Sequence, residues 1–184
     1  LPSRRMPIVF KRTSGAQDLY DGPFGRGWDF NYNQRLIELK GTLFGSEASV
    51  PLVLRGGVDD EIGRTNDLIF HAGDGRALLY RFAGTETNPP PEIASDPLVG
   101  ASELDWINTA KAYYLPPKGI FDFFVRFGDG RFARLEPDGT QYWYGTGGRL
   151  ERIYHRYEKN AHELTYNKNG ELVRITDKSV TSAR

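Results

Sequence analysis

The chain has 184 residues with 24 basic and 24 acidic side chains, so its net charge is zero and neither nucleic acid nor an anionic membrane is an expected partner. It contains no cysteine, which excludes disulfide staples and thiolate metal sites, and no apolar run approaches the ~20 residues that a spanning helix needs. Aromatic residues reach 13% beside 21 glycines and 11 prolines, a balance that favours short, half-buried strands joined by many turns.

In chain order, the start at Leu1, with Met6 the only methionine and no signal-peptide core, reads as a processed or trimmed piece of a longer chain. A strand is expected over 8–12, followed by a Gly-dense segment from Asp21 to Trp28 and strands over 28–32, 34–40 and 50–55. An acidic loop over 56–67 leads to a hairpin of 68–71 and 77–82 around Gly73-Asp74-Gly75. The stretch 85–97, with three consecutive prolines, reads as an exposed loop. Residues 102–110 form the one helix candidate, with Ser102 and Asp105 as a capping pair.

From residue 120 onward the pattern becomes regular. Strands over 121–127, 131–135, 140–144, 149–155, 162–166 and 171–176 alternate with tight turns. Asp-Gly and Asn-Gly in those turns supply the backbone conformations that short hairpins require. Connections this short cannot hold a crossover helix, so the strands pair antiparallel in sequence order. The expectation is an all-β fold: an antiparallel meander of short strands and hairpins in a curved single-layer sheet, with at most one short helix.

The strongest internal signal is a repeat. Gly148-Arg-Leu150-Glu-Arg-Ile153 matches Gly170-Glu-Leu172-Val-Arg-Ile175 in the frame Gly-x-Leu-x-Arg-Ile. Gly130 to Leu135 is a looser copy, and Gly75-Arg76 opens a still looser one. Leu150 and Ile153 lie three apart, as do Leu172 and Ile175, so a flat strand points them to opposite faces. Either both faces are partly apolar or a bulge sits between the two positions.

These residues, with the front segment, resemble the Rhs/YD-repeat family. Tyr20-Asp21-Gly22-Pro23-Phe24-Gly25-Arg26-Gly27-Trp28, continuing through Asn31 to Leu36, is similar to that family's entry module. Met6 to Thr13 is similar to the strand that precedes it, and Pro137 through Ile175 resembles the first repeats, with Tyr166-Asn167 as a degenerate Tyr-Asp pair. Residues 41–120 match only loosely. The resemblance implies an entry module with loop insertions over 1–119 and the first YD-like hairpins over 120–184, continuous as one structural unit. It also implies the function: a non-enzymatic segment of a β-shell that encloses or presents a toxin or effector domain, secreted or on the cell surface. The alternative is a cell-surface adhesion or carbohydrate-binding module.

No catalytic residue, metal ligand or cofactor is nominated. His71, His155 and His162 stand singly in expected strands without an oriented partner. Asp59-Asp60-Glu61 with Asn66-Asp67 lacks the glycine and final glutamate of a calcium loop. Gly22 to Gly27 lacks the Gly-Lys-Ser/Thr ending of a phosphate loop. Tyr142, Trp143 and Tyr144 are the candidates to stack on a sugar. The structural motif residues are Gly22, Pro23, Gly25, Gly27 and Trp28, read as a corner folded over a buried indole, and Gly148, Leu150, Ile153, Gly170, Leu172 and Ile175 in the repeats. Further repeats of the same or an associated polypeptide are expected to pair along 171–176, with a toxin as cargo. Simple alternation there places Val173 and Ile175 on one face.

Overall fold

The computed structural model describes residues 7–15, 21–39, 66–94, 107, 109–155 and 160–179. Its centre is one ten-stranded antiparallel sheet whose spatial order follows the chain: β5 (Arg35–Glu38), β6 (Leu68–His71), β7 (Ala77–Thr85), β8 (Ala112–Leu115), β9 (Phe123–Arg126), β10 (Phe132–Leu135), β11 (Thr140–Tyr144), β12 (Leu150–His155), β13 (Asn160–Tyr166) and β14 (Leu172–Ser179). The front block adds two ribbons: β1 (Arg12–Ser14) with β4 (Trp28–Phe30), and β2 (Asp21–Gly22) with β3 (Gly25–Arg26). The expected all-β meander is therefore present. Its turns use a recurring device, in which Asp74, Asp129, Asp138 and Asn167 each accept a hydrogen bond from the backbone N–H two residues on.

The sheet curls. Phe70 on β6 and Tyr144 on β11 meet at 6.4 Å between ring centroids, although four strands lie between theirs. At the end of the curl the Leu36 N–H donates to the Gly148 carbonyl at 2.7 Å and the Leu150 N–H to the Gln34 carbonyl at 3.3 Å, so the first strand touches the start of β12. The inner face holds the main core: Phe70, Tyr80, Tyr114, Phe124, Phe132, Tyr144, Leu150 and Ile153, sealed at one end by Phe30, Tyr32 and Leu36. The outer face carries a second core under β8–β11, where Tyr113, Phe123, Val125 and Leu135 pack with Ile93 and Ile107. Both faces are thus apolar over the middle strands, as far as β11.

The two best repeats resolve the open question of their faces. Trp143 pairs with Arg152 and Tyr144 with Leu150, leaving Glu151 as an extra residue. Thr165 pairs with Arg174 and Tyr166 with Leu172, leaving Val173 extra. Each Gly-x-Leu-x-Arg-Ile unit is a turn followed by a bulge, and the bulge returns both Leu and Ile to the inner core. Ile175 therefore does not share a face with Val173. It packs inward while Val173 is 59% exposed. The looser copy has no bulge: Phe132 faces the inner core, Leu135 the outer, and Arg134 points inward.

Other expectations are corrected locally. The strand expected over 8–12 begins only at Arg12, because the Asn31 side chain holds Lys11 N–H and the Val9 carbonyl in place of a backbone ladder. The strand from Trp28 ends at Phe30, and the one expected over 34–40 spans Arg35–Glu38. A four-residue helix, α1 (Pro91–Ala94), replaces part of the expected loop, with Ile93 buried in the outer core. The last strand runs to Ser179 instead of stopping at 176, since Asp177, Lys178 and Ser179 pair with His162, Ala161 and Asn160. The expected strand over 50–55, the cluster Asp59-Asp60-Glu61 and most of the helix over 102–110 lie outside the described residues.

The reading of Trp28 is also corrected. Gly22-Pro23-Phe24-Gly25 is a minimal hairpin of its own, with Asp21 opposite Arg26, so its glycines serve the turn and do not enclose an indole. Trp28 is 38% exposed, with the Arg12 guanidinium 5.5 Å from its ring centroid. Burial would have made Trp28→Ala cost ~3–5 kcal/mol. A ring still about a third exposed under one cation is worth about 2 kcal/mol, so this variant is expected to stay folded with a melting temperature lowered by several degrees.

Candidate functional site

The inner face carries an unusual polar cluster beside its aromatic core. Successive inward positions place Arg134 opposite Phe124 on one side and Tyr142 on the other. Its guanidinium lies 4.7 Å from the Phe70 ring centroid and 4.1 Å from that of Tyr142. It donates to Asp122 at 3.3 Å and to Glu136 at 3.0 Å. Asp122 also accepts a 2.5 Å hydrogen bond from the Tyr80 hydroxyl. Burial raises the Asp122 pKa, against the pull of Arg134 and the Tyr80 bond. Burial alone would lower that of Arg134, but Tyr144, Asp122 and Glu136 hold it above the ordinary value. The cation is thus clamped between two rings and two carboxylates, an arrangement that fixes β6, β10 and β11 around one point.

Around it stand hydroxyls that water does not reach. Tyr114 donates to Glu38 and Tyr144 to Gln34. Burial raises the hydroxyl pKa of Tyr80, Tyr114 and Tyr144, and pushes Tyr142 and Tyr166 up to about 12. A phenol whose folded pKa lies above its unfolded value of 10.0 contributes stability that is complete below that value and lost as pH rises toward the folded one. Stability should therefore hold through neutral pH and fall above pH ~10 by about 4 kcal/mol per pH unit from the three fully buried phenols. Tyrosinate absorbance and circular dichroism are expected to change together in one steep alkaline transition. Titration of these phenols near their ordinary pKa with the sheet intact would contradict the buried placement.

A cleft of about 170 Å3 marks the seam between the front block and the repeats, lined by Pro23, Phe30, Arg35, Arg149, Tyr166 and Glu171 among others. Arg149 lies over the Tyr166 ring, whose hydroxyl donates to the Leu150 carbonyl at 2.6 Å. Gly148 and Gly170, the turn glycines of the repeats, flank this seam at φ +74° and +80°. At Gly148 a Cβ would run into the Leu36 carbonyl oxygen, whereas at Gly170 it would meet only the Arg149 guanidinium.

The expected site residues fall into separate places. Gly22, Pro23, Gly25 and Gly27 build the front ribbons, with Trp28 on their exposed side. Leu150, Ile153, Leu172 and Ile175 line the inner core. Tyr142 and Tyr144 face inward, Tyr144 fully buried, while Trp143 lies on the outer face stacked on Phe127 at 5.5 Å. The three aromatics therefore form no continuous exposed ladder. His155 stands in register with Thr140 and Asn160, and His162 with Ile153 and Asp177. Asp67, from the acidic loop, is buried and paired with Arg81 at 2.6 Å. Among the described residues no group of three His, Asp or Glu side chains is placed to hold a metal, and no helix is long and apolar enough to cross a membrane. Sequence reasoning missed the Arg134 cluster; its signal was the parity of Phe132, Arg134, Tyr142 and Tyr144 across the Pro137-Asp138-Gly139 turn.

Residues 1–80 match the model of a family described as a domain of unknown function (DUF6531). The match spans the front ribbons, β5 and β6 and ends within β7. No curated protein and no solved structure matches the chain.

Proposed function

We propose that this chain is the opening segment of an Rhs/YD-repeat β-shell, a non-enzymatic wall that encloses or presents a toxin or effector domain at or beyond the cell surface. The observation that carries the reading is the bulged repeat: one sequence frame, used twice, curves the sheet and keeps its apolar positions on the inner side. The strand order supports it, because a wall extended one hairpin at a time needs no crossover and no second layer. The front block, seated against the inner core through Phe30, Tyr32 and Leu36, closes the start of such a wall. The carbohydrate-binding alternative draws no support from Tyr142, Trp143 and Tyr144, which are divided between the two faces.

The far end of the sheet supplies the test. Among the described residues β14 pairs only with β13, so one row of its N–H and C=O groups has no strand beside it. A further repeat is expected to pair there along 171–176. Amide hydrogen exchange on this chain alone should show alternate, outward amides of β14 exchanging fast. The same amides should become slow when the chain is extended by its downstream sequence. Strong protection of every β14 amide in the isolated monomer would defeat the reading.

A further inference from the structure

The front ribbon carries a surface that the wall does not use. Phe10, Phe24 and Trp28 are 38–48% exposed there, and Ile8 and Val9, just before Phe10 in the chain, are exposed to a similar degree. Phe10 stacks on the buried Phe30 at 5.2 Å and meets Phe24 edge-on at 5.6 Å, so these rings are held in place from below. Arg12 lies over both Phe24 and Trp28, at 5.9 Å and 5.5 Å.

Charge and backbone agree on what fits. Lys11, Arg12 and Arg26 are exposed, and among the described residues none is in an ion pair, with Asp21 the one exposed carboxylate nearby, opposite Arg26 in the β2–β3 hairpin. The nearby Asp29 is buried and committed to the Phe30 N–H and the Asn33 side chain. Among the described residues β1 pairs with β4 alone. The Lys11 carbonyl and Gly15 N–H bond toward β4's side, so by antiparallel alternation the backbone groups of Arg12 and Ser14 face away.

We propose that this ribbon docks an extended acidic–apolar polypeptide segment, which adds as a strand along the outer edge of β1. Backbone pairing would run through Arg12 and Ser14, with apolar side chains over Phe10 and Trp28 and a carboxylate beside Arg12. A lipid surface is the lesser fit, since it offers aromatic and cationic contacts but no partner for a strand edge.

The test uses the whole chain and a labelled, capped peptide, Val-Thr-Glu-Thr-Val-Thr-Glu-Thr, followed by fluorescence anisotropy. Saturable binding that weakens with added salt is expected, with at least tenfold weaker binding of the version carrying lysine for glutamate. Arg12→Glu should reverse that preference. Ser14→Pro, which removes an outward N–H at an edge position, should weaken the peptide at least tenfold without changing the charge of the surface. Circular dichroism checks that both variants keep the sheet. Absence of saturable binding, equal binding of both peptides, or indifference to Ser14→Pro would overturn the proposal. So would association with phosphatidylserine-containing vesicles in place of the peptide. None of these outcomes bears on protection of β14, so the wall reading stands or falls separately.

Discussion

Gly148→Ala is expected to lose about 3 kcal/mol of stability or more, while Gly170→Ala loses only ~1–2 kcal/mol. Both glycines hold a left-handed conformation, φ +74° and +80°, which costs an alanine ~1–2 kcal/mol. Only at Gly148 does the new methyl strike backbone, the Leu36 carbonyl oxygen, at the place where the first strand closes onto β12. Relief requires the two to part, weakening the Leu36–Gly148 and Leu150–Gln34 bonds, and overpacking of that kind adds ~1–3 kcal/mol. At Gly170 the obstacle is the end of the Arg149 side chain, which swings aside. Urea denaturation of the two variants measures the difference directly. Equal losses would mean that the seam contributes nothing and that the turn alone sets the cost.

Arg134→Ala should be the most damaging single truncation of a charged side chain, at ~3–5 kcal/mol, because it leaves Asp122 buried beside Tyr80 without its cation. Removing the Arg134–Asp122 pair together is a different matter, since the remaining carboxylate, Glu136, is 30% exposed and keeps access to water. Arg134→Met with Asp122→Asn keeps the volume and leaves Tyr80 an acceptor, and a buried ion pair replaced in this way often costs little. The double variant is therefore expected to recover more than half of the loss seen in Arg134→Ala. If it were as unstable as the single variant, the cluster would owe its value to the guanidinium's contacts with Phe70 and Tyr142, not to charge balance.

Much of this architecture is written locally. The Asp-Gly and Asn-Gly turns after residue 120 set strand boundaries to within a residue or two, since each turn fixes its own backbone and caps its own amides. What stayed hidden is non-local. The contact of Leu36 with Gly148 joins positions far apart in sequence, and nothing in either segment announces the other. Arg134 reads as an ordinary outward charge until the register carries it inside with Phe132 and Tyr144. Trp28 misled for the opposite reason: dense glycine is a signal of sharp turning, and sharp turning alone does not decide which side of the ribbon faces solvent.

The bulges also determine which changes of length the chain tolerates. Glu151 and Val173 each stand as one uncounted residue, so the spacing of three between Leu and Ile acts in the ladder as a spacing of two. Deleting either would remove the bulge and leave a regular ladder with Ile153 or Ile175 still on the inner side, losing only the local bend, whereas inserting a second residue there would turn the rest of the strand over. Loss of a whole hairpin would leave every remaining facing unchanged. Such a wall can drift in total size by entire hairpins with every facing kept, while a single residue added within Gly-x-Leu-x-Arg-Ile is purged, so natural growth in its length should come in steps.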